Sequence, residues 1–132
     1  MNLTQAYERT AERYLGAASM TLQAGRHEVA IFTSYHAFES IGGALSASHG
    51  QHYPRSHSRK LNQFTKLCAA HGFGPPVAHL AILLSSLRNL SLYPVDGTPA
   101  GSTSPDLHLS PGQAKSLYKR VQGLVQAVKR II

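Results

Sequence analysis

Leu87-Arg88-Asn89-Leu90-Ser91-Leu92-Tyr93-Pro94 closes a run that begins at Val77, in which Val, Ala, Ile and Leu fill most positions. Before Arg88 the run is broken only by His79, Ser85 and Ser86. It reads as a helix apolar on nearly every side, and such a helix is usually buried. An arginine placed late in it must pair, snorkel or line a cleft. Helical geometry makes Asn89 and Tyr93 neighbours at i,i+4, with Ser85 and Ser86 one turn earlier and Arg88 on the flank. Pro94, which a helix rarely passes, closes this polar strip.

Working outward, the flanking sequence is helical as well. Ala6, Tyr7, Thr10, Tyr14, Ala17, Ala18 and Met20 predict a first helix from about Thr4 to Leu22, stopped by Gly25. A second runs from near Arg26 to about Ser48, with Ile31, Ser34, Phe38, Ile41 and Leu45 in one apolar stripe and Gly50 ending it. Gly42 and Gly43 inside it cost about 1 kcal/mol each against Ala, which close approach of another helix would offset. A loop with Pro54 leads to a third helix over His57 to His71, its Leu61, Phe64, Leu67 and Cys68 inward. Gly72-Phe73-Gly74-Pro75-Pro76 is a break before the fourth.

Beyond Pro94, the stretch to Leu109 is rich in Pro, Gly, Ser and Thr, with Asp96-Gly97 as a turn signal. It reads as a loop, and loops this long are often functional. Ser110 as N-cap and Pro111 at the first position open the last helix. Its inward face is Ala114, Leu117, Tyr118, Val121, Leu124, Val125, Val128 and Ile132. No stretch reads convincingly as a strand. The expectation is an all-α bundle of about five helices, one domain over residues 1–132.

The composition, 42% hydrophobic and 14% charged over 132 residues, is that of a globular chain with a single core. No run of eighteen apolar residues suggests a membrane span. Met1-Asn2-Leu3-Thr4-Gln5 lacks the basic flank and apolar stretch of a signal peptide. One cysteine, Cys68, fits a reducing compartment and is expected to be buried, so a cytoplasmic protein is expected. His49, His52 and His57 match no strong zinc spacing, and phosphate-loop, dinucleotide and nucleophile-elbow motifs are missing. Neither metal nor cofactor is expected.

Charge is more telling. Thirteen Lys and Arg face six Asp and Glu, a formal +7. Between Glu39 and Asp96 no acid occurs, yet Arg55, Arg59, Lys60, Lys66 and Arg88 lie there. The Arg55 to Lys66 group reads as a nucleic-acid contact. Lys115, Lys119, Arg120, Lys129 and Arg130 on the last helix read equally as a solubilising face.

Arg88-Asn89, three residues, then Tyr93 resembles the signature of HEPN domains, small all-helical proteins of which many are metal-independent ribonucleases. Tyr35-His36-Ala37-Phe38-Glu39 on the second helix, His57-Ser58-Arg59-Lys60-Leu61 opening the third and Ser110-Pro111-Gly112-Gln113-Ala114 opening the last resemble the family in the same order. The nuclease form of the motif ends in histidine, where this chain has Tyr93. The resemblance implies RNA as substrate and a homodimer whose two motifs share one cleft. It also implies a toxin of a prokaryotic toxin–antitoxin or defence system, with a small nucleotidyltransferase as antitoxin. The alternative is a catalytically degenerate relative that binds nucleotide, RNA or a protein.

Metal-free RNA cleavage needs a base for the ribose 2′-hydroxyl, an acid for the leaving oxygen and a cation for the phosphorane charge. Arg88 suits the cation and Asn89 a hydrogen-bonding role. Tyr93 is a poor base and a better hydrogen-bonder or stacking surface, which leaves His57 as the substitute base. His36 and Glu39, at i,i+3, would orient Arg88 from behind. The structural alternatives are an Arg88–Glu39 ion pair in the core, a satisfied His36–Glu39 pair, and His57 as a simple helix-start residue.

Overall fold

Asn2 opens the first helix with a reciprocal cap: its side chain accepts from the Gln5 amide, and the Gln5 side chain accepts from the Asn2 amide. This helix, α1, spans Leu3–Gln23. Gly25, at φ 75°, takes the left-handed conformation that ends it, and the Arg26 amide closes back onto the Thr21 carbonyl at 2.8 Å. The computed structural model describes residues 1–92, 95–98, 101–105 and 109–132.

Helix α2, His27–Ser48, is the axis of the bundle and packs against α1, α3, α4 and α5. Helices α3 (His57–Ala70), α4 (Gly74–Leu92) and α5 (Pro111–Lys129) complete the five helices among the described residues. The expected single stripe on α2 understates its burial. From Ala30 to Ser46 nearly every residue is buried, because Ala37, Gly42, Gly43 and Ala44 let neighbours approach on all sides. A Cβ on Gly43 would lie 2.6 Å from the Tyr7 ring of α1, and one on Gly42 2.9 Å from the Phe64 ring of α3. The close approach expected of this glycine pair is therefore real, and it is made by aromatic rings.

Ser56 caps α3 by accepting from the Arg59 amide, and Leu61, Phe64, Leu67 and Cys68 face inward as expected. Burial pushes the Cys68 thiol up to about 12, so it is a packing residue. Ser110 and Gln113 form a second reciprocal cap, Pro111 occupies the first turn, and Ala114, Leu117, Val121, Val125 and Val128 are buried.

Three expectations differ from the structure. Helix α4 starts at Gly74, with Pro75 and Pro76 in its first turn, where a missing amide hydrogen costs nothing. It is also not buried all round: it packs mainly on α2 and α3, leaving Ile82 72% exposed beside exposed Ser85, Ser86 and Asn89. The stretch after α4 is not wholly loop either. Strands β1 (Val95–Thr98) and β2 (Gly101–Thr103) pair antiparallel, Val95 opposite Thr103 and Thr98 opposite Gly101. Asp96-Gly97 lies inside β1, at the point where the register shifts, so it marks an irregularity within the strand. Among the described residues, no helix is long and apolar enough to cross a membrane.

Candidate active site

A buried carboxylate organises the site. Glu39 comes from the middle of α2, where α3 covers it. Its Oε1 accepts from Lys60 Nζ at 2.8 Å. Its Oε2 accepts from the Tyr35 hydroxyl at 2.7 Å and lies 2.7 Å from His57 Nδ1. The Tyr53 hydroxyl donates to the Glu39 backbone carbonyl. Burial pushes the Glu39 carboxyl up, but the hydrogen bonds from Lys60, Tyr35 and His57 outweigh it and hold the group below the usual carboxylate range.

This carboxylate sets the state of His57. An ionised carboxylate only accepts, so Nδ1 of His57 carries a hydrogen, and the neutral tautomer that this selects has its lone pair on Nε2. The His57 side chain is 48% exposed, so the ring is open to solvent. A carboxylate that fixes an imidazole in this way is the standard means of orienting a histidine base. His57 is also the first residue of α3, at the positive end of the helix, where an anion is favoured.

Arg88 reaches the same place from α4. Its guanidinium carbon lies 5.3 Å from the centroid of the Tyr35 ring. The Tyr35 hydroxyl lies 3.1 Å from His57 Nδ1, so one phenol joins the arginine to the histidine. Arg88 Nη1 donates to the side-chain oxygen of exposed Asn89 at 3.4 Å, and Arg88 Nε is buried with no hydrogen-bond partner among the described residues. The ion pair considered between Arg88 and Glu39 does not form, because Lys60 and His57 occupy the carboxylate. Burial, then the Glu39 hydrogen bond and charge, pushes the Tyr35 phenol well above its usual range, so it remains a donor.

His36 lies to one side of this group. It stacks on Tyr14 of α1 at 5.1 Å between centroids and meets Phe32 edge-on at 4.4 Å. Burial lowers its pKa; Glu39 opposes this and the Arg88 charge adds to it, so the ring is held neutral. No hydrogen bond joins it to Glu39.

A family model described as HEPN domain matches residues 4–131. The chain belongs to the HEPN domain family. Its fold is shared with the crystal structure of TT1696 from Thermus thermophilus, at a TM-score of 0.78, 22% identity and 100% coverage of both chains. No curated protein matches the chain.

Within this HEPN domain the structure brings together Arg88, Asn89, His57, Glu39 and Lys60. Tyr93 lies outside the described residues. Lys60 is half-buried and spent on Glu39, with its ammonium also 5.4 Å from the centre of the Tyr53 ring. Arg55, Arg59 and Lys66 are exposed, and the last two line a surface depression of about 530 Å³ with Gln51, Pro54, Asn62, Gln63 and Leu67. At about 100° per residue, Arg59 and Lys66 lie roughly opposite His57 around α3, so this depression opens on the far side of the helix. Sequence reasoning missed Tyr35 and Tyr53 as parts of the site. The i,i+4 spacing of Tyr35 and Glu39 could have pointed to the first; nothing local pointed to the second.

Proposed function

We propose that this HEPN domain is a metal-independent endoribonuclease. The observation that carries the reading is the Tyr35 ring, which holds Arg88 on its face while its hydroxyl joins the Glu39–His57 pair. His57 Nε2 takes the proton of a ribose 2′-hydroxyl, and the 2′-oxygen attacks the adjacent phosphorus. Arg88, with donors still free, takes up the charge that develops on the phosphoryl oxygens. The bond to the 5′-oxygen breaks, that oxygen takes a proton from solvent, and a 2′,3′-cyclic phosphate is left. Asn89 and Tyr93 position the phosphate or stack on a base, and exposed Arg55, just before α3, holds a flanking phosphate; Arg59 and Lys66, on the far side of α3, meet RNA only where it wraps around that helix.

The active form in this reading is a homodimer with α4 near the two-fold axis. Exposed Ile82 supports it. The side chain stands beside a depression of about 430 Å³ between α3 and α4, lined by Leu61, Thr65, Ala78, Ala81 and Ser85 among others. A second copy can place its own Ile82 there, which is the self-complementary contact that two-fold symmetry requires. Two copies of Arg88 and Asn89 then face one RNA path. The biological role in this reading is the toxin of a prokaryotic toxin–antitoxin or defence pair, silenced by a small nucleotidyltransferase.

Tyr93, standing where nuclease members have histidine, favours a second reading, a domain that binds RNA, nucleotide or protein without cutting. Expression of wild type and Arg88→Ala in bacteria separates the two. The nuclease reading expects slowed growth and degraded RNA with wild type alone. Identical behaviour of both proteins removes it.

A further inference from the structure

Helices α2 and α3 end beside each other, and each is capped by a histidine: His49 follows Ser48, and His71 follows Ala70. The Nε2 atoms of the two rings are 3.2 Å apart, with the ring planes at 86°. His49 Nδ1 lies 3.1 Å from the Leu45 carbonyl. A carbonyl only accepts, so Nδ1 carries the hydrogen, and the neutral tautomer that this selects has its lone pair on Nε2, the atom that faces His71. A backbone carbonyl on the distal nitrogen is the usual support of a metal-bound histidine. A cation with bonds of about 2.0–2.1 Å holds two neighbouring nitrogens roughly 2.9 Å apart in octahedral and roughly 3.4 Å apart in tetrahedral geometry. The two imidazoles stand within that range.

The surroundings suit a cation. Both rings sit at helix C-termini, the negative end of the helix dipole. Both are exposed, so a hydrated ion can reach them. Among the described residues no group of three His, Cys, Asp or Glu side chains could hold a metal, so solvent must fill the other positions.

We infer that His49 and His71 form a two-imidazole site for a divalent transition cation such as Ni²⁺, Zn²⁺ or Cu²⁺. Nitrogen ligands select these ions over Mg²⁺ and Ca²⁺, which take oxygen. The site is separate from the nuclease centre: fourteen positions along α3 from His57 to His71 amount to about 21 Å. A bound ion clamps the far ends of α2 and α3 across the link that carries Tyr53, and so stabilises the docking of those two helices.

The same geometry also fits a plain N–H···N hydrogen bond, and the test separates the two. Tag-free full-length protein is titrated with NiCl₂ by calorimetry and melted with and without it. Wild type should bind one equivalent and melt higher with Ni²⁺, while Mg²⁺ has no effect. Loss of an outer-shell partner alone weakens metal sites by about 10-fold, so His49→Gln and His71→Gln should each lose at least that. His52→Gln and His79→Gln should bind as wild type does. Both target residues are exposed, and circular dichroism is used to check that the variants fold. The proposal is overturned if Ni²⁺ leaves the melting of wild type unchanged, or if His49→Gln or His71→Gln binds it undiminished.

Discussion

Arg88 meets Tyr35 through the face of the phenol ring, 5.3 Å from guanidinium carbon to ring centroid, while the hydroxyl of that ring donates to Glu39 at 2.7 Å. One tyrosine therefore does two separable things. Tyr35→Phe keeps the face and removes the donor. A hydrogen bond to a charged group contributes about 1.5–3 kcal/mol, so urea unfolding should show a loss of that order. Arg88-dependent RNA cleavage should survive in part. Tyr35→Leu removes the face as well, and cleavage should fall to the level of Arg88→Ala. Equal cleavage by the Phe and Leu variants would show that the ring does not place the arginine.

Glu39 predicts a specific acid response. Its folded pKa lies below the unfolded value, so in acid the folded state binds fewer protons than the unfolded state. The stability it contributes is complete above the ordinary glutamate pKa of about 4.3, and is lost as pH falls through the lower folded value. Glu39→Gln should cost about 3 kcal/mol at neutral pH, because Lys60 loses its buried partner. It should also flatten the stability profile below pH 5, as measured by denaturant melts. A variant with an unchanged acid slope would refute the assignment.

Two glycines in helices should respond with opposite signs. Gly43→Ala drives a methyl into the Tyr7 ring and should destabilise by about 1–3 kcal/mol. Gly16 lies in α1 with nothing within 4 Å of an added Cβ, so Gly16→Ala should stabilise by up to about 1 kcal/mol. Thermal melts of the pair read both signs directly.

Tyr93 tests how far the motif's chemistry is preserved. If its ring only stacks or hydrogen-bonds, Tyr93→Phe leaves most RNA cleavage intact; a role in proton transfer would cost about 10²-fold. We expect the mild result, and a gain of cleavage in Tyr93→His. A folded Tyr93→His protein inert on RNA would transfer the cleft to the binding reading.

Local chemistry was legible in the sequence and tertiary partnership was not. Ser110-Pro111 marked the start of α5 because a cap and a fixed φ act within one turn. The apolar run of α4 overstates its burial because its apolar surface continues past the helices available to cover it. Lys60 reads as a surface cation until α3 docks and sets it against Glu39, 21 positions away in the chain. His57 is legible as a candidate base, but within the sequence Glu39 pairs as readily with Arg88 or His36. Spacing within one helix does not reveal which neighbouring helix will supply the counter-ion.

Glu39 grips α3 at two points, Lys60 through one oxygen and His57 through the other, three residues apart on one face of that helix. Apolar surfaces such as the Phe38–Phe64 contact would accept more than one longitudinal offset between α2 and α3. Sliding α3 by a single turn moves both grips by about 5.4 Å and strands a buried negative charge. The acid thus serves as a vernier mark, rejecting near-native packings that oily surfaces alone would not tell apart.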